Sequence, residues 1–145
     1  MMEGGTRRDV DAVEFSRDGR MVLSHFRFSH SDRSDGAKVW DVLRGALLVS
    51  VPETNPRYAY SCFSFSPCNS YIAWASRSLY YCEDSDKTVF LWRTHDWSCV
   101  AQVKVPSYGF AVTSIAFSPN GKVLCCATDR GTLFFFYMHD LVPAD

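Results

Sequence analysis

The four histidines of this chain stand at positions 25, 30, 95 and 139. His25 and His30, together with Asp32, come nearest to a metal-binding set, but their spacing matches no compact ligand motif. Glu83, Asp84 and Asp86 form an acidic run without the alternating ligands and closing Glu of a calcium loop, so a solvated turn is expected there. Six cysteines, at 62, 68, 82, 99, 125 and 126, include no Cys-x-x-Cys pair, and the last two are adjacent. They are expected to be reduced thiols acting as small hydrophobes. Neither a Gly-x-Ser-x-Gly nucleophile elbow nor a phosphate-cradling glycine loop occurs in the sequence. No catalytic, metal or cofactor-binding residue is assigned, and the chain reads as a non-enzyme. What remains is non-covalent recognition, for which tyrosine and arginine supply contact area and directed hydrogen bonds. Arg33, Tyr58, Tyr80, Tyr81 and Tyr108 are the candidate partner-binding residues.

Those residues sit between elements that repeat. Three segments align without gaps: 13–23 (VEFSRDGRMVL), 63–73 (FSFSPCNSYIA) and 115–125 (IAFSPNGKVLC). In each, two large apolar residues stand two apart (Val13 and Phe15, Phe63 and Phe65, Ile115 and Phe117), which places them on one face of a strand. A tight turn follows, with Gly19, Asn69 and Gly121 at the equivalent position, where positive φ is expected. The chain then returns as a second strand over Met21–Phe26, Tyr71–Ser76 and Val123–Thr128. Third strands follow, with Trp40, Trp92 and Phe136 in register, and fourth strands are expected at Leu47–Val51 and Ser98–Val105. The fold class is all-β. It divides into a tail (1–9), a first unit (10–51), a connection (52–59), a second unit (60–105), a connection (106–111), a partial third unit (112–138) and a second tail (139–145).

The pattern resembles the WD40 repeat of β-propellers. The resemblance rests on Phe-Ser-Pro-Asn-Gly at 117–121, Phe-Ser-Arg-Asp-Gly at 15–19, Lys-Val-Trp-Asp at 38–41 and Thr-Val-Phe-Leu-Trp at 88–92. It implies an arc of about three four-stranded antiparallel blades, the last one incomplete. The family's frequent Gly-His before a blade is missing, Trp40-Asp41 is the one Trp-Asp pair, and Asp129 has the turn position without its histidine. Packing is therefore expected to hold these blades more than a buried polar network does. Propellers close with about 4–8 blades, so a three-blade arc leaves two apolar blade faces to cover. The chain is expected to be a fragment, the product of a truncated gene, or an arc that closes by assembling with copies of itself or with a further chain.

The repeats exceed the usual length of about 40–45 residues. The excess lies in two loops, near 27–36 and 77–86, one polar with two arginines and the other aromatic then acidic. By the resemblance, these loops share a face with the connections between blades, which makes that face the expected working surface. The reading is an intracellular scaffold, cytoplasmic with the nucleus as the alternative, that binds other proteins and takes no cofactor. Net charge is −1, with none of the basic balance that nucleic-acid binding uses, and no apolar run is long enough for a membrane span. Two alternatives are similar in part. Residues 126–136 resemble blades of phosphoinositide-binding propellers, without the paired arginines. Residues 73–137 resemble a blade pair in the propeller subunit of the tRNA-modification complex Elongator.

Overall fold

Alternating apolar segments separated by tight turns pair with their neighbours in the chain. The computed structural model describes residues 10–26, 37–51, 58–78, 88–104, 112–128 and 131–142, with the side chains of 10–11, 26, 51, 58–61 and 76–78 left aside. Blade 1 contains β1 (Val10–Phe15), β2 (Met21–Phe26), β3 (Ala37–Asp41) and β4 (Ala46–Val51). Blade 2 contains β5 (Tyr58–Phe65), β6 (Tyr71–Ser78), β7 (Thr88–Arg93) and β8 (Cys99–Lys104). Blade 3 contains β9 (Val112–Phe117), β10 (Val123–Thr128) and β11 (Leu133–Tyr137). Each blade is an antiparallel sheet in chain order, and blade 3 has no fourth strand among the described residues.

The hairpin turns explain the repeated Phe-Ser. The hydroxyls of Ser16, Ser66 and Ser118 each accept the backbone N–H five residues on, from Met21, Tyr71 and Val123, all at 3.0 Å. Ser16 and Ser118 also donate to the side-chain oxygens of Asp18 and Asn120, both at 2.7 Å. In blade 2 the same place is held by Cys68, whose Sγ lies 3.4 Å from Ser66 Oγ. Gly19, Asn69 and Gly121 adopt φ of 72°, 64° and 72°, as their position in the repeat predicts.

Strand registers give each blade two distinct faces. The front carries Phe15, Val22 and Trp40 in blade 1, Phe65, Ile72 and Trp92 in blade 2, and Phe117, Leu124 and Phe136 in blade 3, each trio cross-strand neighbours. The back carries Leu23 and Val39, then Ala73 and Leu91, then Cys125 and Phe135. The front of blade 2 packs on the back of blade 1, burying Phe65, Ile72 and Trp74 against Leu23, Ala37 and Val39. The front of blade 3 packs on the back of blade 2, burying Ile115, Phe117 and Leu124 against Ala73, Val89 and Leu91. Front-to-back stacking thus repeats twice.

Several boundaries differ from the sequence expectation. β4 begins at Ala46, β6 runs on to Ser78, and β8 covers Cys99–Lys104, with residue 105 outside the described residues. The end of the chain, expected as a tail from 139, contains one helical turn, α1 (Met138–Leu141). Its Met138 and Leu141, with Val142, pack against the core between blades 2 and 3. Residues three and four apart share a helix face, so this short apolar set covers the core by turning once rather than by extending.

The polar network is present in one blade. In blade 1 the Trp40 indole N–H donates to Ser24 Oγ at 3.0 Å. In blade 2 the position of Ser24 is taken by Trp74, which stacks on Phe90 with ring centroids 4.2 Å apart. The buried Trp92 Nε1–H then has no hydrogen-bond partner among the described residues. Blade 3 has Cys126 and Phe136 at the two positions and dispenses with the polar pair. Packing replaces hydrogen bonding as the stack proceeds.

Candidate interaction surfaces

The registers sort the connections between strands by sheet end. His25 pairs with Ala37, and Ala37 with Val51; in blade 2 Tyr58 pairs with Ser78, and Thr88 with Lys104. Segments 27–36, 52–57, 79–87 and 105–111 therefore all leave and re-enter the sheets at one end. β10 also ends there before residues 129–130, since Thr128 pairs with Val112 and Ala127 with Leu133. The opposite end carries the tight hairpin turns and α1. Every long connection is thus anchored at the end expected as the working surface. Arg33, Tyr80, Tyr81 and Tyr108 lie outside the described residues, as does Asp129. Tyr58 opens β5 by its backbone at that same end, and its side chain lies outside the description.

A second surface was legible in the repeat only as a geometric demand. The positions that are buried between blades are open at the two ends of the stack. Val13 and Phe15, on the front of blade 1, are 62% and 59% exposed, whereas Phe65 and Phe117 at the position of Phe15 are 4% and 8% exposed. Leu133, Phe135 and Tyr137, on the back of blade 3, are 56%, 59% and 54% exposed, against 0% for Val39 and 1% for Leu91 at the position of Phe135. Adjacent exposed apolar side chains of this size mark surfaces that association covers.

Polar clamps reinforce the junction of blades 1 and 2 beside these surfaces. The Phe65 backbone N–H donates to the Glu14 carboxylate at 3.1 Å, and the Asp18 backbone N–H donates to Asn69 Oδ1 at 3.1 Å. Burial pushes the Glu14 carboxyl above its ordinary range, with the Phe65 N–H and the Arg17 charge pulling back less strongly. Asp18 is held below its ordinary value by the Ser16 hydroxyl and then by the Arg20 backbone N–H. Repeat analysis does not find these clamps, because each bond joins residues 51 apart in the chain and the partner residues differ between blades.

The five described cysteines carry thiols rather than disulfides. Burial, followed by the neighbouring Cys62 and Cys125, pushes the Cys126 thiol up to about 12, so it is an inert part of the core. Cys68 is exposed; partial desolvation raises its thiol, and hydrogen bonds from Ser66 and Ser70 more than offset this, leaving it below the ordinary range. Among the described residues no group of three His, Cys, Asp or Glu is placed to hold a metal ion, and no helix is long and apolar enough to cross a membrane. The apolar cavity between blades 1 and 2, lined by Val49, Trp74, Trp92 and Trp97 among others, offers no polar chemistry to a substrate.

Residues 97–136 match the family model of the WD domain, G-beta repeat. No curated protein matches the chain. The matched segment straddles two sheets, taking in β8 from blade 2 and β9 to β11 from blade 3. The repeat of the family model is therefore offset by one strand from the blade of the structure.

Proposed function

We propose, from the WD40 match at 97–136 and the three antiparallel blade-like sheets, that this chain is a non-enzymatic scaffold that binds other proteins through the end of its blades from which the long connections leave. WD40 repeats in general serve as protein-interaction platforms. The observation that carries the assignment to this end is that the described strand ends flanking 27–36, 52–57, 79–87 and 105–111 all lie at one end of the sheets. A rigid sheet that presents loops can hold a partner without bonding to it, since the sheet fixes the loop ends and the loops supply specificity. Segment 79–87 contributes Tyr80 and Tyr81, segment 27–36 contributes Arg33, and Tyr58 and Tyr108 belong to the connections beside them.

The test is the double variant Tyr80→Ala with Tyr81→Ala. Quantitative capture from cell extract should lose at least about 10-fold of the proteins held by the unchanged chain, as interface tyrosines at hot spots do. The thermal midpoint should not change. Equal capture by both forms sinks the assignment. For the compartment we propose the cytoplasm, where thiols stay reduced. Co-purification of Elongator subunits would narrow the scaffold to tRNA modification. Flotation with phosphoinositide vesicles but not with neutral ones would instead identify a membrane-binding propeller.

A further inference from the structure

We propose that the outer rim of blade 1, the hairpin of β3 and β4, is a docking site for a partner segment in which a short apolar run is followed by carboxylates. This surface is separate from the end of the blades where the long connections leave, and it stands independently of the scaffold reading.

The outer hairpins of blades 1 and 2 occupy equivalent places and differ in what they show to solvent. Trp40 lies opposite Leu47 as Trp92 lies opposite Cys99, and both pairings then shift by one residue, at Leu48 and at Val100. Gly45 and Trp97 close the two turns at φ of 66° and 58°, each donating its N–H to the carbonyl four residues back, on Asp41 and Arg93. Leu43, Leu47 and Leu48 therefore stand where His95, Cys99 and Val100 stand in blade 2. The three leucines are 90%, 47% and 40% exposed. His95 and Cys99 are exposed as well, in a blade covered on both of its faces. These positions look outward by their place in the blade, whatever lies against its faces. Blade 2 fills them with an imidazole, a thiol and a valine that packs on the core. Blade 1 fills them with three leucines on one hairpin, an apolar patch of the kind that association covers.

The charges of the two turns are reversed, and they are used differently. Blade 2 has Arg93 and Asp96, whose side chains pair at 3.5 Å. Blade 1 has Asp41 and Arg44 at those places. The Asp41 carboxylate accepts the Arg44 backbone N–H at 2.9 Å, so it is spent on the turn itself. The Arg44 guanidinium is exposed and has no ion pair among the described residues. A guanidinium presents a planar fork that takes a carboxylate through two parallel hydrogen bonds. An unpaired cation at one end of an apolar strip thus selects a segment with carboxylates at one end of an apolar run. The leucines supply contact area, and the guanidinium sets the orientation and rejects a basic segment. β4 also has no strand on its outer edge among the described residues, which leaves backbone groups to an extended segment. The extra residue at Leu48 interrupts that edge, so strand addition there stays short and side chains carry the contact.

The test is fluorescence anisotropy on the full chain with two fluorescein-labelled peptides, Ser-Leu-Val-Leu-Asp-Asp and the same run ending in Lys-Lys. The acidic peptide should bind saturably and at least about 10-fold more tightly than the basic one, with the advantage shrinking at high salt. Leu43→Ser with Leu47→Ser should weaken the acidic peptide at least about 10-fold. Circular dichroism should stay unchanged, because both side chains are exposed. Arg44→Glu should invert the preference towards the basic peptide, which a merely adhesive surface does not do. Equal binding of the two peptides, or no binding at millimolar concentration, overturns the proposal. So does full binding by the double serine variant, or an Arg44→Glu variant that keeps the original preference. A doubled mass of the peptide-free chain in light scattering, abolished by the two serines, overturns it too, because a second copy then covers the rim. The variant with Tyr80→Ala and Tyr81→Ala separates the two surfaces: it should hold the acidic peptide like the unchanged chain, whatever becomes of the proteins captured from extract.

Discussion

At the scale of single residues, the repeated hairpin turn acts as its own control. Asp18 and Asn120 each place an oxygen where the preceding serine hydroxyl and a following backbone N–H converge, from Arg20 at 3.0 Å and Lys122 at 3.0 Å. Cys68 offers a larger and weaker acceptor at the same place. Cys68→Asn should therefore stabilise the chain by about 0.5–1.5 kcal/mol, the worth of a gained hydrogen bond, read as a higher urea midpoint. Alkylation should show the other side of this geometry: Cys68 reacts at neutral pH, and Cys126 only on unfolding. Glu14 carries a pH dependence with a defined sign. Its carboxyl holds a proton more tightly folded than unfolded, so stability falls as pH rises from the ordinary carboxylate value through the raised one, and stays lower above it. Glu14→Gln keeps an acceptor for Phe65 and carries no charge. Urea midpoints taken from acid to neutral pH should lose that downward step in the variant.

At the scale of strands and blades, the paired tryptophans separate hydrogen bonding from packing. Ser24→Ala removes the acceptor of the Trp40 N–H and should cost about 0.5–1.5 kcal/mol. Trp92→Phe removes an N–H that is buried without a partner among the described residues, so part of its packing loss is offset. Leu91, 1% exposed between blades 2 and 3, has no such offset, and Leu91→Ala should cost about 2–5 kcal/mol. Chemical denaturation of the three variants gives the order Leu91→Ala first by a wide margin. Much of this scale was legible in the sequence. The period-two apolar pairs gave the strands, and Gly19, Asn69 and Gly121 announced their turns because few residues tolerate positive φ. The turn of α1 was not legible, since four residues are too few for a helical period to appear. Nor were the clamps of Glu14 and Asn69, which depend on how two blades lie together rather than on either strand. The candidate partner-binding residues follow from residue type alone: an apolar period says which face of a strand is covered, and tyrosines between strands follow no period.

At the scale of the whole molecule, the stack has an unequal interior. Two junctions are buried and two faces of the same chemistry are open. Any association that covers those faces stabilises the folded chain by mass action. Differential scanning calorimetry across a hundredfold dilution tells a second copy from other partners: only self-association makes the melting temperature rise with protein concentration, and a midpoint independent of concentration argues for open faces in solution. β11 adds a further edge, because no fourth strand pairs with it among the described residues. An apolar edge strand templates pairing, which makes aggregation the expected failure at high concentration.

Blade 2 alone is covered on both faces, and this sets a clock as well as a structure. A stack whose units touch only their neighbours frays from its ends, and its opening events grow rarer towards the middle. Backbone amides of β6 and β7 should therefore exchange their hydrogens last, those of β1 and β11 first, with the hours between them measuring how far one blade depends on the next.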